Sequence, residues 1–338
     1  MRAYLKKKGI DFRLHTYGIT ALTYMAYGLF SSLIIGLIMK TLGEQLHIDF
    51  LVSAGQAASS YYGAAIGAAV SYGLKAPPLV LFSAVISGAV GVEVGGGPAG
   101  AFAAALIGTE IGKLVSGSTK LDILVTPFVS ILAGWTSAQF IGKLIADGML
   151  LLGDAVNWSV DQQPFIMGIL VATIMGLALT APISSAAIAI MLGLDGAAAG
   201  AATVGCSAQM IGFAVSSYRE NGISGLLSQG IGTSMLQVPN IIKKPLILIP
   251  PTAAGILLAP FATLVFHMEN VKEGAGMGTS GFVGQIFTLT TMGFRLEVWM
   301  YIAILHIIGP AMISLAISEY FRRKQWIKYG DMKLELKA

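Results

Sequence analysis

Two short signatures carry the residue types best suited to holding a ligand. Gly230-Ile231-Gly232-Thr233-Ser234 and Gly276-Met277-Gly278-Thr279-Ser280 share the pattern Gly-x-Gly-Thr-Ser, and each is followed by a glutamine, Gln237 and Gln285. More amides and hydroxyls gather before and after the first: Gln209 in Gly205-Cys206-Ser207-Ala208-Gln209, then Glu220, Asn221, Gln229 and Asn240. Amide and hydroxyl side chains supply donors and acceptors together at modest burial cost. That is the equipment for a neutral polar ligand such as a sugar or polyol. Arg219 and Glu220 are adjacent, and two readings stand open for them: a neutralised pair at a loop, or part of the site.

Other chemistries are poorly supported. Gly95-x-Gly97-x-x-Gly100 and Gly276-x-Gly278-x-x-Gly281 match a dinucleotide-binding pattern, but the chain has 42 glycines and neither match lies in a strand–turn–helix context. There is no His-Glu-x-x-His and no Cys-x-x-Cys, and the four histidines, His15, His47, His267 and His306, are scattered. The reading is therefore of a non-enzyme with no metal and no cofactor. The single cysteine, Cys206, lies in a small-residue apolar segment and reads as packing.

These residues need a scaffold, and the composition says which kind. Of the 338 residues, 55% are hydrophobic and 11% charged, against about 25% charged in soluble domains. No charge occurs from Tyr17 to Met39 or from Pro245 to His267, and a helix needs about 20 apolar residues to cross a bilayer. The runs are continuous, unlike the alternation of barrel strands. The expected fold is all-α, a polytopic membrane bundle forming a single membrane-embedded domain over 1–338. Expected crossings are 18–39, 51–72, 78–96, 98–116, 121–143, 164–180, 182–194, 197–217, 244–266 and 296–318, with 182–194 short enough to be half of a broken helix. Residues 137–160 put Lys143, Asp147 and Asp154 on one side of a helical wheel, which suggests a helix lying at the interface with Trp158 as anchor.

The segments around the two signatures, Gly222–Val238 and Gly274–Met292, are too polar and glycine-rich for crossings. Irregular backbone at membrane depth must be covered by protein or line a cavity, so both are read as re-entrant hairpins. The flanks 1–17 and 319–338 are basic, with Arg322, Arg323, Lys324 and Lys328 in the second. By the positive-inside rule both termini are cytoplasmic, which requires an even number of crossings. These flanks account for the net charge of +4, so no nucleic-acid partner is invoked.

Two acids stand alone in apolar surroundings. Glu93 precedes Gly95-Gly96-Gly97-Pro98, and Asp195 precedes Gly196. A carboxylate at the bilayer centre costs roughly 2.5–3.5 kcal/mol, so such residues default to functional candidates. Glu93 is either an acceptor at a helix break facing a cavity or an acid in water at a loop end. Asp195 is either a site residue or the N-cap of the helix beginning at Gly196. A weak repeat aligns Gly96, Gly100, Ile111 and Gly112 with Gly196, Gly200, Ile211 and Gly212. The glycine pairs 63/67, 91/95, 96/100, 108/112 and 196/200 read as close helix contacts.

Four stretches, GGGPAGAFAAALIG (95–108), APISSAAIAIMLGLDGAAAGAATVGCSAQMIGFAVSSYRENG (181–222), QGIGTSMLQVPNI (229–241) and GMGTSGFVGQI (276–286), resemble the enzyme IIC-like membrane proteins of the PfoR-like group, labelled toxin regulators. That group is similar to the IIC component of the bacterial phosphotransferase system. The resemblance implies a homodimer in the bacterial cytoplasmic membrane that moves a small polar solute, a carbohydrate or related metabolite, by alternating access. Phosphorylation-coupled transport would require separate IIA and IIB proteins as partners, since no segment here suits either. Glu93, Glu220 and His267 are the candidates for the sugar-binding acid and histidine of that family. The expected ligand position is between the two hairpins and the helices of Glu93 and Gln209. The group's label carries an alternative: a membrane sensor that uses the same pocket without transport.

Overall fold

The structure is a computed structural model that describes residues 16–334 together with Tyr4, Leu5, Lys8, Gly9, Ile10 and Arg13. Arg2, Lys6, Lys7 and His15 of the first basic flank, and 335–338 of the second, lie outside the described residues. The named elements are all helical, with one isolated backbone bridge between Gly196 and Asn270. Among the described residues, six helical stretches are long and apolar enough to cross a membrane: Leu22–Glu44, Pro78–Val115, Asp122–Val160, Gly196–Ser216, Pro245–Val265 and Leu296–Arg323. The chain divides into two compact units, Met1–Gly148 and Met149–Ala338.

The first unit is a series of antiparallel helices zipped by glycine. Helix α1 covers 16–46 and α2 covers 49–73, interrupted at Tyr61. Helices α3 (Pro78–Gly91) and α4 (Gly97–Val115) follow, then α5 (Asp122–Val160). The 38-residue stretch Pro78–Val115 is not one rod. It reverses at Gly95 and Gly97, whose φ values of +86° and +55° suit glycine. The reversal brings Gly91 against Gly100, where a Cβ on Gly91 would stand 2.4 Å from the Gly100 carbonyl oxygen. The same closeness joins α1 to α2 (Gly55 to the Lys40 nitrogen, 2.4 Å) and α2 to α3 (Gly67 to the Ala84 oxygen, 2.1 Å). Without a hydrophobic drive between helices in lipid, backbone approach of this kind is what packs them. Two glycines of the expected pairs act otherwise: Gly95 and Gly196 serve as positive-φ turns with no close neighbour at the Cβ position.

Helix α5 differs from expectation. Residues 137–160 are not a separate element; they continue 122–137 through a widened turn at Ala138–Gly142. Ala138 and Lys143 both keep right-handed helical dihedrals. The division between the units falls inside α5.

In the second unit, α6 (Pro164–Thr180) and α8 (Gly196–Ser216) run parallel, with Met175 beside Cys206 and Thr180 beside Gln209. Between them 181–195 carries the chain back, with only eight residues, Ser185–Leu192 (α7), helical. That is about 12 Å of helix, so this return is a broken crossing. Helix α8 is the core of the unit and is buried almost throughout. Helix α11 (Pro245–Val265) lies antiparallel to it, with Ala208 against Gly255 and Gly212 against Pro251. Helix α14 (Leu296–Arg323) runs parallel to it, with Ser216 bonded to the Ser314 carbonyl.

Both hairpins are re-entrant. The first descends from the end of α8 as α9 (Tyr218–Leu227), turns through 228–237 and returns as α10 (Val238–Lys243). The second enters from the opposite end of α8 with α12 (Lys272–Ala275), turns through 276–282 and leaves as α13 (Val283–Met292). Asn270 closes its base, donating to Thr203 Oγ1 (2.8 Å), the Gly284 carbonyl (3.0 Å) and Thr288 Oγ1 (3.1 Å). The tips meet halfway along α8, where the Thr279 hydroxyl donates to the Gly230 carbonyl at 2.5 Å.

Candidate functional site

Three polar clusters occupy the second unit, and they differ in how fully they are satisfied. The first joins the tip of the first hairpin to three helices. Thr180 Oγ1 lies 2.8 Å from Ser234 Oγ and donates to Gln209 Oε1 at 3.2 Å. Gln209 Nε2 donates to Thr252 Oγ1 at 2.8 Å. Both ends of the Gln209 amide thus have partners within the chain. Thr233 caps the turn after it, accepting from the Met235 nitrogen at 3.1 Å. A groove of about 290 Å³ borders this cluster, lined by Leu177, Leu248, Ile249 and Ile256 with Thr252 as its polar member. Its walls suit acyl chains better than a hydroxylated solute.

The second cluster lies at the base of the first hairpin. Gln229 donates to Ser217 Oγ (2.8 Å) and the Gly225 carbonyl (2.9 Å). Gln237 Nε2 donates to Gln229 Oε1 (2.8 Å) and the Met332 carbonyl (3.0 Å), and its Oε1 accepts from Asn240 at 2.8 Å. Asn221 and Asn240 donate to the carbonyls of Met332 and Lys333 at 2.8 and 3.0 Å. The Glu220 carboxylate is fully buried and pairs with Arg322 at 3.0 Å. Arg219 instead reaches Glu319 at 3.1 Å, so the two neighbours do not neutralise each other; each pairs with α14. The sequence groups Glu220, Asn221, Gln229, Gln237 and Asn240 as ligand-binding residues. In the structure their polar atoms are taken up by one another and by the backbone of the chain's own residues 330–334.

The third cluster is open. Gln285 Nε2 lies 3.1 Å from His306 Nδ1 and 3.4 Å from Ser207 Oγ. His306 is wholly buried on α14, and Gln285 and Ser280 of the second hairpin are 5% and 3% exposed. Gln285 Oε1 and His306 Nε2 are buried with no hydrogen-bond partner among the described residues, and so is Ser280 Oγ, five residues before Gln285 on the same hairpin. An unpartnered buried polar atom forfeits roughly 1–3 kcal/mol and calls for an explanation. With the Gln285 amide donating to Nδ1, a neutral imidazole carries its proton on Nε2. The cluster then presents a donor at His306, an acceptor at Gln285 Oε1 and a hydroxyl at Ser280.

The remaining candidates stand apart from these clusters. Glu93 is exposed on the turn between α3 and α4, in the first unit. Asp195 is exposed at the N-cap position of α8, but its side chain makes no capping bond. His267 is exposed in the loop after α11 with φ +44°. Sequence reasoning missed His306, Thr180, Thr252 and Asn270. For His306 a signal existed: it is the lone His, Lys, Arg, Asp or Glu between Glu297 and Glu319, the same criterion that drew attention to Glu93. Among the described residues no three His, Cys, Asp or Glu side chains converge as a metal site would require.

A family model described as "Phosphotransferase system, EIIC" matches residues 19–334. No curated protein matches the chain. No solved structure matches it either.

Proposed function

The chain belongs to the phosphotransferase-system EIIC family, a membrane sugar-transport component, and from that premise we propose that it holds its solute at the Ser280–Gln285–His306 cluster. The observation that carries this placement is the trio of unpartnered buried atoms beside the second hairpin. A neutral polyhydroxylated solute, a carbohydrate or a related metabolite, offers each of them a hydroxyl. It does so without bringing a charge into the membrane, which costs several kilocalories per mole. Transport is by alternating access in a homodimer of the bacterial cytoplasmic membrane, with the basic ends on the cytoplasmic side. The chain binds and moves the solute without transforming it. Any phosphorylation comes from separate IIA and IIB proteins. Irregular backbone at hairpin tips is the usual setting of a midplane substrate site, and the tips here meet near this cluster.

A thermal-shift screen of the purified protein against sugars, polyols, sugar phosphates and organic acids tests this reading. A solute at a hundred times its Kd adds about 2.7 kcal/mol of stability. A neutral sugar or polyol should give the shift, and Gln285→Leu or His306→Leu should erase it. A shift that survives both substitutions places the solute elsewhere.

One observation favours a second reading, a membrane sensor without transport. The segment available as an output surface, from Glu319 to Leu334, is packed on the first hairpin through Glu220, Asn221 and Gln237. Removing it separates the readings: a transporter keeps solute flux, whereas a sensor loses its downstream response.

A further inference from the structure

The base of the first hairpin grips a turn of backbone, closed by the Asp331 nitrogen donating to the Lys328 carbonyl and the Lys333 nitrogen to the Gly330 carbonyl, both at 3.2 Å. Glu220 Oε1 accepts from the Gly330 nitrogen at 3.1 Å and Oε2 from the Met332 nitrogen at 2.9 Å. Asn221 accepts from the Leu334 nitrogen at 2.8 Å and donates to the Met332 carbonyl at 2.8 Å. Gln237 adds a second bond to that same carbonyl, and Asn240 bonds the Lys333 carbonyl. All of these bonds end on main-chain atoms of 330–334; the hairpin reads peptide backbone. Along the bound segment Met332 and Leu334 are buried and Lys333 is exposed. Met332 is the anchor, wholly buried with Phe213, Ile247 and Ile327.

The Met332 carbonyl is shared. Asn221 belongs to the descending limb of the hairpin and Gln237 to the turn that begins the returning limb, so one oxygen ties the two limbs together. The segment itself has no regular secondary structure. It leaves α14 by a positive-φ turn at Gln325 and reverses at Gly330, φ +100°. Its hold on the hairpin consists of side-chain-to-backbone bonds and one apolar plug, which another peptide taking up the same turn could reproduce.

We propose that the base of the first hairpin is a peptide-backbone-binding site, occupied by the chain's own residues 328–334, and that this segment is a releasable strap clamping the limbs of the hairpin. Its regulatory consequence, that the hairpin moves only when the strap lets go, rests on the transport reading; the binding site does not. Hydrogen–deuterium exchange on the full chain in lipid nanodiscs tests it without a solute, so its outcome is separate from that of the solute site. Two variants are compared with the intact protein. One ends after Tyr329, and the other is Leu334→Pro, which removes the N–H that Asn221 accepts. Exchange across 225–240 should rise at least tenfold in both, while 270–292 stays unchanged. The free peptide Lys-Tyr-Gly-Asp-Met-Lys-Leu, added to the truncated protein, should restore protection. If truncation prevents folding, the proline variant alone carries the test. Unchanged exchange across 225–240, or an equal rise across 270–292, overturns the strap. Failure of the peptide to restore protection overturns the binding site.

Discussion

The two hairpins begin from the same five-residue pattern and end in opposite states. In the first, the glutamine after the motif, Gln237, has partners on both ends of its amide. In the second, the corresponding Gln285 leaves Oε1 without one. Ser234 is bonded to Thr180, whereas Ser280 Oγ has no partner. Thr233 caps its own turn, and Thr279 reaches across to the other tip. The motif therefore does not determine whether a hairpin binds a solute. What differs is the neighbour: the first hairpin is covered by residues 330–334, and the second faces a buried histidine on α14.

The largest test of this contrast is Glu220→Ala. It leaves the Arg322 guanidinium, 11% exposed, with only Glu319, at 4.0 Å, as a carboxylate partner, and breaking such a buried pair costs about 3–5 kcal/mol. Thermal unfolding in detergent should show this as the greatest loss among single substitutions in either hairpin. Next comes the matched pair Gln237→Leu and Gln285→Leu. The first leaves Gln229 Oε1 without its donor, while Asn240 keeps the Lys333 carbonyl, and should cost about 2–3 kcal/mol, within the roughly 1–3 of a buried group left unmade. The second removes an acceptor that had no partner along with the amide donor to His306 Nδ1, and should cost about 1 kcal/mol. Equal losses would erase the distinction between the hairpins.

Gly278→Ala against Gly230→Ala sharpens it on the packing side. A Cβ at Gly278 would stand 2.7 Å from Cys206 backbone carbon at φ +54°, while at Gly230 the nearest atom is 3.5 Å away. The first should cost about 2–3 kcal/mol through overpacking and left-handed strain, and the second under about 1 kcal/mol, read from the same melting curves. Glu93→Gln is the smallest. On an exposed turn it should shift stability by no more than about 0.5 kcal/mol and leave a solute-induced shift intact. Loss of that shift would bring Glu93 back into the site.

The architecture was legible because membrane physics leaves few choices. Charge-free runs gave the helices, and polar glycine-rich stretches at membrane depth could only be re-entrant. The break at Gly95–Pro98 was visible as a glycine run, though not the antiparallel reversal it produces. The site was less legible because residue type does not name a partner. Gln237 and Gln285 look alike after their motifs, but the group that satisfies Gln237 lies 95 residues further on, in a segment read only as a basic flank. His306 was passed over among scattered histidines because its burial comes from α8 and the second hairpin packing on α14. Helix α5 was divided at a change in amphipathic pattern that the backbone ignores.

The tip contact between Thr279 and Gly230 has a consequence for how such chains are found by sequence. Within Gly276-Met277-Gly278-Thr279-Ser280, a side chain at Gly276 would strike the Ser185 carbonyl at 2.4 Å, Gly278 has no room beside Cys206, and Thr279 holds the opposite tip. Of these, only Ser280 has a side-chain oxygen left for anything outside the fold. A match to this signature therefore reports on how the two tips meet and says little about the solute.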